Sequence, residues 1–148
     1  MIPRPDPALQ TAMQQLYDRY AYAVDELDTE VLSDCYVDDA SFRCTISAAG
    51  SHEGREAIVQ RQVFRHEQEA FREKHLITGV VVLEVVDDRA RTYANGAIYA
   101  TRDGVTRFEA SGHYEDEVFR CPDGQWRFRT RTFVGDHVAA PVTAPAAG

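Results

Sequence analysis

The C-terminal half of the chain sets the strongest limit on its fold. Four runs rich in β-branched and aromatic residues, KHLITGVVVLEVV, RTYANGAIYAT, RFEASGHYEDEVFR and WRFRTRTFV, are separated only by VDDRA, RDGVT and CPDGQ. Asp-Gly between two such runs is a hairpin signal, because Gly tolerates the positive φ that a tight turn demands. The four runs therefore predict an antiparallel meander. A long sheet of this kind must cover one face, and only the N-terminal half can supply the cover.

That half reads mainly as helix. Leu9, Met13, Leu16, Tyr20, Val24 and Leu27 recur at three- and four-residue steps and form one apolar stripe. Tyr22 falls on nearly the opposite side. Asp25 would stand well off the stripe if the helix ran through it, and a break near Asp25 would free its carboxylate to turn elsewhere. Asp28 suits the N-cap of a second helix, TEVLSDCY, with Glu30 in its first turn. ASFRCTI alternates as a half-buried strand, SAAGSHEG reads as a loop, and REAIVQRQVFRHEQEAF reads as a third helix with Ile58, Phe64 and Phe71 among its apolar positions. Helices gathered ahead of a meander predict an α+β fold. The expected form is a cone-shaped α+β barrel, a curved and mostly antiparallel sheet wrapped around about three N-terminal helices, with a cavity between the two layers.

Composition narrows the function classes. At 148 residues the chain has the size of one domain and can bury a core without disulfide or metal staples. Its net charge of −8 argues against nucleic acid or an anionic membrane surface as partner. Cys35, Cys44 and Cys121 are odd in number and lack metal-ligand spacing, so free thiols in a reducing compartment are expected. No apolar run is long enough to span a bilayer, and MIPRPDPALQ has no apolar signal-peptide core, so cytoplasm is the expected location. Nucleophile elbow, P-loop, dinucleotide fingerprint and His-Glu-x-x-His motifs are all missing. Neither a metal nor an organic cofactor is expected.

Acid/base chemistry remains. His52 and His66 read as solvated, and His137 adjoins the Ala/Pro-rich tail. His75 shares strand parity with Ile77, Gly79, Val81, Leu83 and Val85, an almost wholly apolar row, and a polar ring on such a face needs a partner or a purpose. His113 shares parity with Glu115 and Glu117 rather than with Tyr114 and Val118, and the sequence leaves open which of those faces is concave. An Asp–His pair beside a buried Tyr is a workable device. The carboxylate fixes the imidazole tautomer, the ring moves a proton, and the phenol donates to an oxygen that gains charge. Asp25, His75 and Tyr20 could supply these parts. Phe42, Tyr99 and His113 stand as candidate substrate contacts.

The order of elements, 20-YAYAVDELDTEVL-32 running into 36-YVDDASF-42, then 75-HLITGVVVLEV-85 and 112-GHYEDEVFRCPDGQWRF-128, resembles the SnoaL-like branch of the nuclear-transport-factor-two-like superfamily. The resemblance implies one such domain over residues 1–136, and the Ala/Pro-rich composition of residues 137–148 predicts a disordered tail. Its nearest pattern is that of scytalone and bile-acid dehydratases. There a Tyr on the first helix, an Asp at that helix's end and a His on the strand after the third helix line the pocket. The matching positions are Tyr20, Asp25 and His75. The Asn that often follows the strand His by four residues is Gly79 here, and the second His of scytalone dehydratase has no secure match. The resemblance implies a cofactor-free dehydratase, cyclase or isomerase acting on a hydrophobic polyketide-, terpenoid- or steroid-like molecule. The alternative is a non-catalytic ligand-binding or assembly subunit of the same fold. A homodimer or larger homo-oligomer is also expected. Parity in WRFRTRTFV puts Arg127, Arg129 and Arg131 in one outward row, suited to a polar sheet-to-sheet contact with Glu115 and Glu117.

Overall fold

The computed structural model describes residues 1–47, 50–68 and 72–139. Three helices, α1 (Pro7–Glu26), α2 (Thr29–Asp34) and α3 (Arg55–Gln68), accompany six strands. The strands are β1 (Tyr36–Cys44), β2 (Ser51–Glu53), β3 (Arg72–Val86), β4 (Arg89–Arg102), β5 (Val105–Arg120) and β6 (Trp126–Val138). The short β2 lies inside the segment that reads as a loop, and β1 begins where the second helix was expected to continue. β6 extends through His137 and Val138, the first two residues of the expected tail; residues 140–148 lie outside the described residues, as does Phe71.

One sheet runs in the order β2-β1-β6-β5-β4-β3, with β1 and β6 parallel and every other pair antiparallel. The α+β class and the meander agree with the sequence reading, but the barrel and cone do not. The curved sheet is open. Its edge strands β2 and β3 do not meet, and α1 packs against β3 instead. A three-residue β2 could not pair along the fifteen residues of β3 in any case. The helices lie on one face, α1 over β3 and β6 and α3 over β1 and β2.

The predicted stripe explains the packing of α1. Met13, Leu16, Tyr20 and Val24 are buried, joined by Tyr17 and Ala23, while Tyr22 is exposed. Two β-bulges decide what the sheet offers in return. Gly79 has φ 65°, and the β3–β4 register shifts between Thr78 and Val81. A shifted register turns the following side chains to the other face. Val80 and Val82 are therefore buried, not Val81 and Leu83 as uninterrupted alternation requires. In β6, Phe128 pairs with Val118 and Thr130 with Glu117, which leaves Arg129 as the extra residue.

The second bulge overturns the outward Arg row. Arg131 is 0% exposed and faces the core beside Phe128 and Phe133. Its guanidinium carbon lies 3.9 to 4.1 Å from the ring centroids of Tyr114, Tyr20 and Phe128. Its Nη1 donates to Asp116 Oδ2 at 2.7 Å, and Tyr17 donates to the same oxygen at 2.5 Å. Burial pushes Asp116 up to about 6, against the opposing pull of Arg131 and the Tyr17 hydroxyl. The other two arginines are paired within the chain, Arg127 with Asp34 and Asp123 and Arg129 with Asp39. The basis on which assembly was expected is thereby removed.

Removing one member of a buried ion pair strands the other. Arg131→Met and Asp116→Asn should each cost roughly 3–5 kcal/mol. The Arg131→Met/Asp116→Leu double variant should lose far less than the sum of the corresponding single losses. Urea denaturation measures both, and additive losses would contradict the pairing. Arg127 yields a pH effect. Burial would raise Asp34, but hydrogen bonds from Arg127 and Arg19 outweigh it and hold the carboxyl below its usual range; Arg127 does the same for Asp123. Folded values below unfolded ones stabilise the fold above the unfolded value, and that gain disappears as pH falls. Arg127→Ala should therefore lose less stability than wild type on acidification from about pH 5 to about pH 2, as thermal melts across that range would show.

Candidate active site

α1 does not break at Asp25. It continues to Glu26, and Leu27 ends it in the left-handed region at φ 55°, its N–H bonded to Ala23 O. Such a residue stops a helix abruptly. Asp28 then accepts the Val31 N–H at 3.1 Å and caps α2, the role its position predicts. Asp25 is left in the last turn of α1, off the buried stripe and beside the start of β3.

There it meets His75. Asp25 Oδ1 accepts from His75 Nδ1 at 2.7 Å, and the two Asp25 oxygens lie 3.1 and 3.2 Å from the His75 backbone nitrogen. β3 is an edge strand, so this N–H points away from the ladder, and Asp25 satisfies a donor the sheet cannot. The two side chains are only 9% and 7% exposed. Lys74 sits at the rim, 4.0 Å from Asp25 Oδ2 and 2.6 Å from Glu26 Oε1. With Nδ1 committed to Asp25, Nε2 is the ring nitrogen left to act on another molecule.

His75 lines a cavity of about 310 Å³ between α3 and the sheet, at the small end of ligand-binding pockets. Tyr20 and Phe42 line the same cavity, as do Ile98, Tyr114 and Phe133. The helix side is polar, with Arg61, Gln62 and Arg65 facing Glu73. Gln62 and His66 both bond Val24 O at 3.1 Å and so tie α3 to α1; His66 is thus held against α1 rather than simply solvated. Among the described residues, no group of three or more His, Cys, Asp or Glu side chains is placed to hold a metal ion, and no helix is long and apolar enough to cross a membrane.

The structure therefore brings Asp25 and His75 together and sets His75, Tyr20 and Phe42 around one cavity. It does not bring in the other two candidates. His113 stacks on Tyr93 at 5.0 Å and approaches Glu115 at 3.2 Å on the opposite face of the sheet. Tyr99 packs edge-on against Phe108, and its neighbour Ile98 takes the cavity wall. Tyr114, Glu73 and Arg61 escaped sequence reasoning, although each carried a signal. Tyr114 lies on the Ala110, Gly112, Tyr114 row of β5, and Glu73 shares the parity of His75. Arg61 shares a helix face with Ile58, Gln62 and Arg65.

A family model described as a SnoaL-like domain matches residues 8–132. No curated protein matches the sequence. Solved structures match the fold closely. A variant of Rv3472, a protein of unknown function from Mycobacterium tuberculosis, is 22% identical, with a TM-score of 0.79 over 95% of this chain and 84% of that one. A protein from Catenulispora acidiphila in complex with S-DNPA is 25% identical, with a TM-score of 0.78 over 88% and 96%. ActVI-ORFA from Streptomyces coelicolor is 19% identical, with a TM-score of 0.78 over 88% and 99%.

The contact between Asp25 and His75 fixes a tautomer. Nitrogen-15 NMR of the imidazole should find the neutral ring of His75 protonated on Nδ1. In Asp25→Asn the preference should weaken or invert, because an amide can offer its NH₂ as readily as its oxygen. An Nε2–H ring in the wild-type protein would contradict the geometry.

Proposed function

The chain belongs to the SnoaL-like domain family, and we propose that it is a cofactor-free acid/base enzyme, a dehydratase, cyclase or isomerase acting on a hydrophobic polyketide-, terpenoid- or steroid-like molecule. The observation that carries this reading is the 2.7 Å contact between Asp25 and His75 at the wall of a cavity lined by Tyr20 and three further aromatic rings. A non-catalytic carrier would need the cavity but not the dyad. The resemblance to scytalone and bile-acid dehydratases points to the same three positions. The Catenulispora relative, solved with S-DNPA, supports a ligand site in this fold.

In this scheme His75 Nε2 takes a proton from a carbon next to a carbonyl, or from a hydroxyl. Asp25 stabilises the imidazolium that forms. The electron pair moves onto the carbonyl oxygen, where the Tyr20 hydroxyl donates to it. The imidazolium then returns its proton. Delivered to a departing hydroxyl it releases water; delivered to the former carbonyl oxygen once a nucleophile of the same molecule has closed a ring on its carbon, or to another carbon, it completes a cyclisation or a double-bond shift. His75 is restored at the end of each route, so no oxidant or reductant is consumed.

Proton removal can be read before the natural substrate is known. Hydrophobic hydroxy-ketones incubated with the protein in deuterium oxide should gain deuterium next to the carbonyl, as mass spectrometry detects. Asp25→Asn and His75→Ala should each slow that exchange by about 10²–10⁴-fold, and the double variant should be little worse than either, because the pair acts as one unit. Exchange at the wild-type rate in Asp25→Asn would contradict the reading.

A further inference from the structure

Charge around the cavity is unevenly neutralised. Glu73 is held by Arg65 at 2.7 Å, and Glu109 by Arg102 at 2.7 Å. Arg61 differs. Its guanidinium carbon lies 4.7 Å from the centroid of the Phe42 ring, and it makes no ion pair with any described residue. It lines the same cavity as His75 and Tyr20. His52 pairs with Phe42 across β1 and β2, and its pKa is lowered, first by burial and then by the charge of Arg61. Its Nε2 is buried without a hydrogen-bond partner. Among the described residues, no carboxylate forms an ion pair with Arg61.

A guanidinium laid on an aromatic ring keeps its in-plane N–H donors free for a planar two-oxygen acceptor. Arg65 is already engaged by Glu73, so among the described residues lining the cavity Arg61 is the guanidinium without a paired carboxylate. That suits a single monoanionic group rather than a polyphosphate. We propose that Arg61 anchors a carboxylate carried on a hydrophobic ring system, and that Phe42, beneath the guanidinium, packs against the same ligand. The proposal rests on the reading of the cavity as a small-molecule site and narrows the substrate class to hydrophobic acids. The anchored end then lies on the α3 side of the cavity, leaving the remainder of the molecule to reach His75.

Calorimetric titration of the full chain tests this with matched probes: 2-naphthoate, 2-naphthylacetate and indole-3-acetate, each beside its neutral primary amide. Wild type should bind the acids at least about 10-fold more tightly than the amides, the scale of a charge-assisted hydrogen bond away from bulk water. Arg61→Gln should abolish that preference, lowering acid affinity by at least about 10-fold and amide affinity by less, because the amide never had the ionic contribution to lose. Arg61→Lys should keep part of it, as a point charge without the planar fork. Equal affinity for acid and amide in wild type, no binding by any acid of the panel, or a preference that survives Arg61→Gln would each overturn the assignment. His75→Ala should leave the preference intact, which separates the two proposals. If deuterium exchange fails while the acid preference holds, the cavity binds acids without performing this chemistry. If exchange succeeds without the preference, only the role of Arg61 falls.

Discussion

Everything in this fold is arranged around a guanidinium with no access to water. Arg131 reaches the core from β6, meets the Asp116 carboxylate from β5, and is enclosed by rings from α1, β5 and β6. A charge so placed is tolerable only while its counter-ion and its aromatic walls stay in position. Two of those walls, Tyr17 and Tyr20, belong to α1, and Tyr17 also bonds the carboxylate and Thr92 of β4. The cation therefore clamps α1 to the sheet at a defined height and rotation.

That clamp sets the geometry at the end of the helix. With Tyr20 fixed over Arg131, Asp25 lies a little over one turn further along, and the left-handed Leu27 stops the helix before the chain can carry past the sheet edge. The Asp25 carboxylate then meets a free backbone donor and an imidazole on the same residue of β3. One side chain thus links the helix to the edge strand and orients the ring beside the cavity. Tyr20 serves both places: one face covers the buried cation, and the residue also borders the cavity. Structural and proposed chemical roles meet in that tyrosine, so its replacement would disturb both.

How much of this was legible in the sequence depended on how local the cause was. The α1 stripe, the Asp28 cap and the Asp103-Gly104 turn, with φ of 51° and 75°, follow from periodicity and turn chemistry within a few residues. The nearness of Asp25 to His75 came through the family resemblance, since no spacing rule joins residues fifty positions apart. The sheet faces were misread wherever a bulge intervened. Alternation carried through Gly79 put Val81 inside, and carried through Arg129 it put Arg131 outside, because one extra residue inverts every later position. Nothing local marks Arg129 as that residue; the burial of Arg131 among four rings is a tertiary outcome. The open sheet was hidden for a similar reason, since closure depends on whether β2 and β3 can meet, and β2 is formed by only three residues in what reads as a loop.

Chemical rescue probes the proposed transfer of a proton by His75, oriented by Asp25. In His75→Ala, added imidazole can occupy the space left by the side chain and act in its place. Imidazole should restore deuterium exchange into a hydroxy-ketone substrate, more basic methylimidazoles should restore it faster, and rescue should weaken when Asp25→Asn is added. Exchange in His75→Ala at the wild-type rate, or a loss that no imidazole relieves while the variant remains folded, would contradict that transfer.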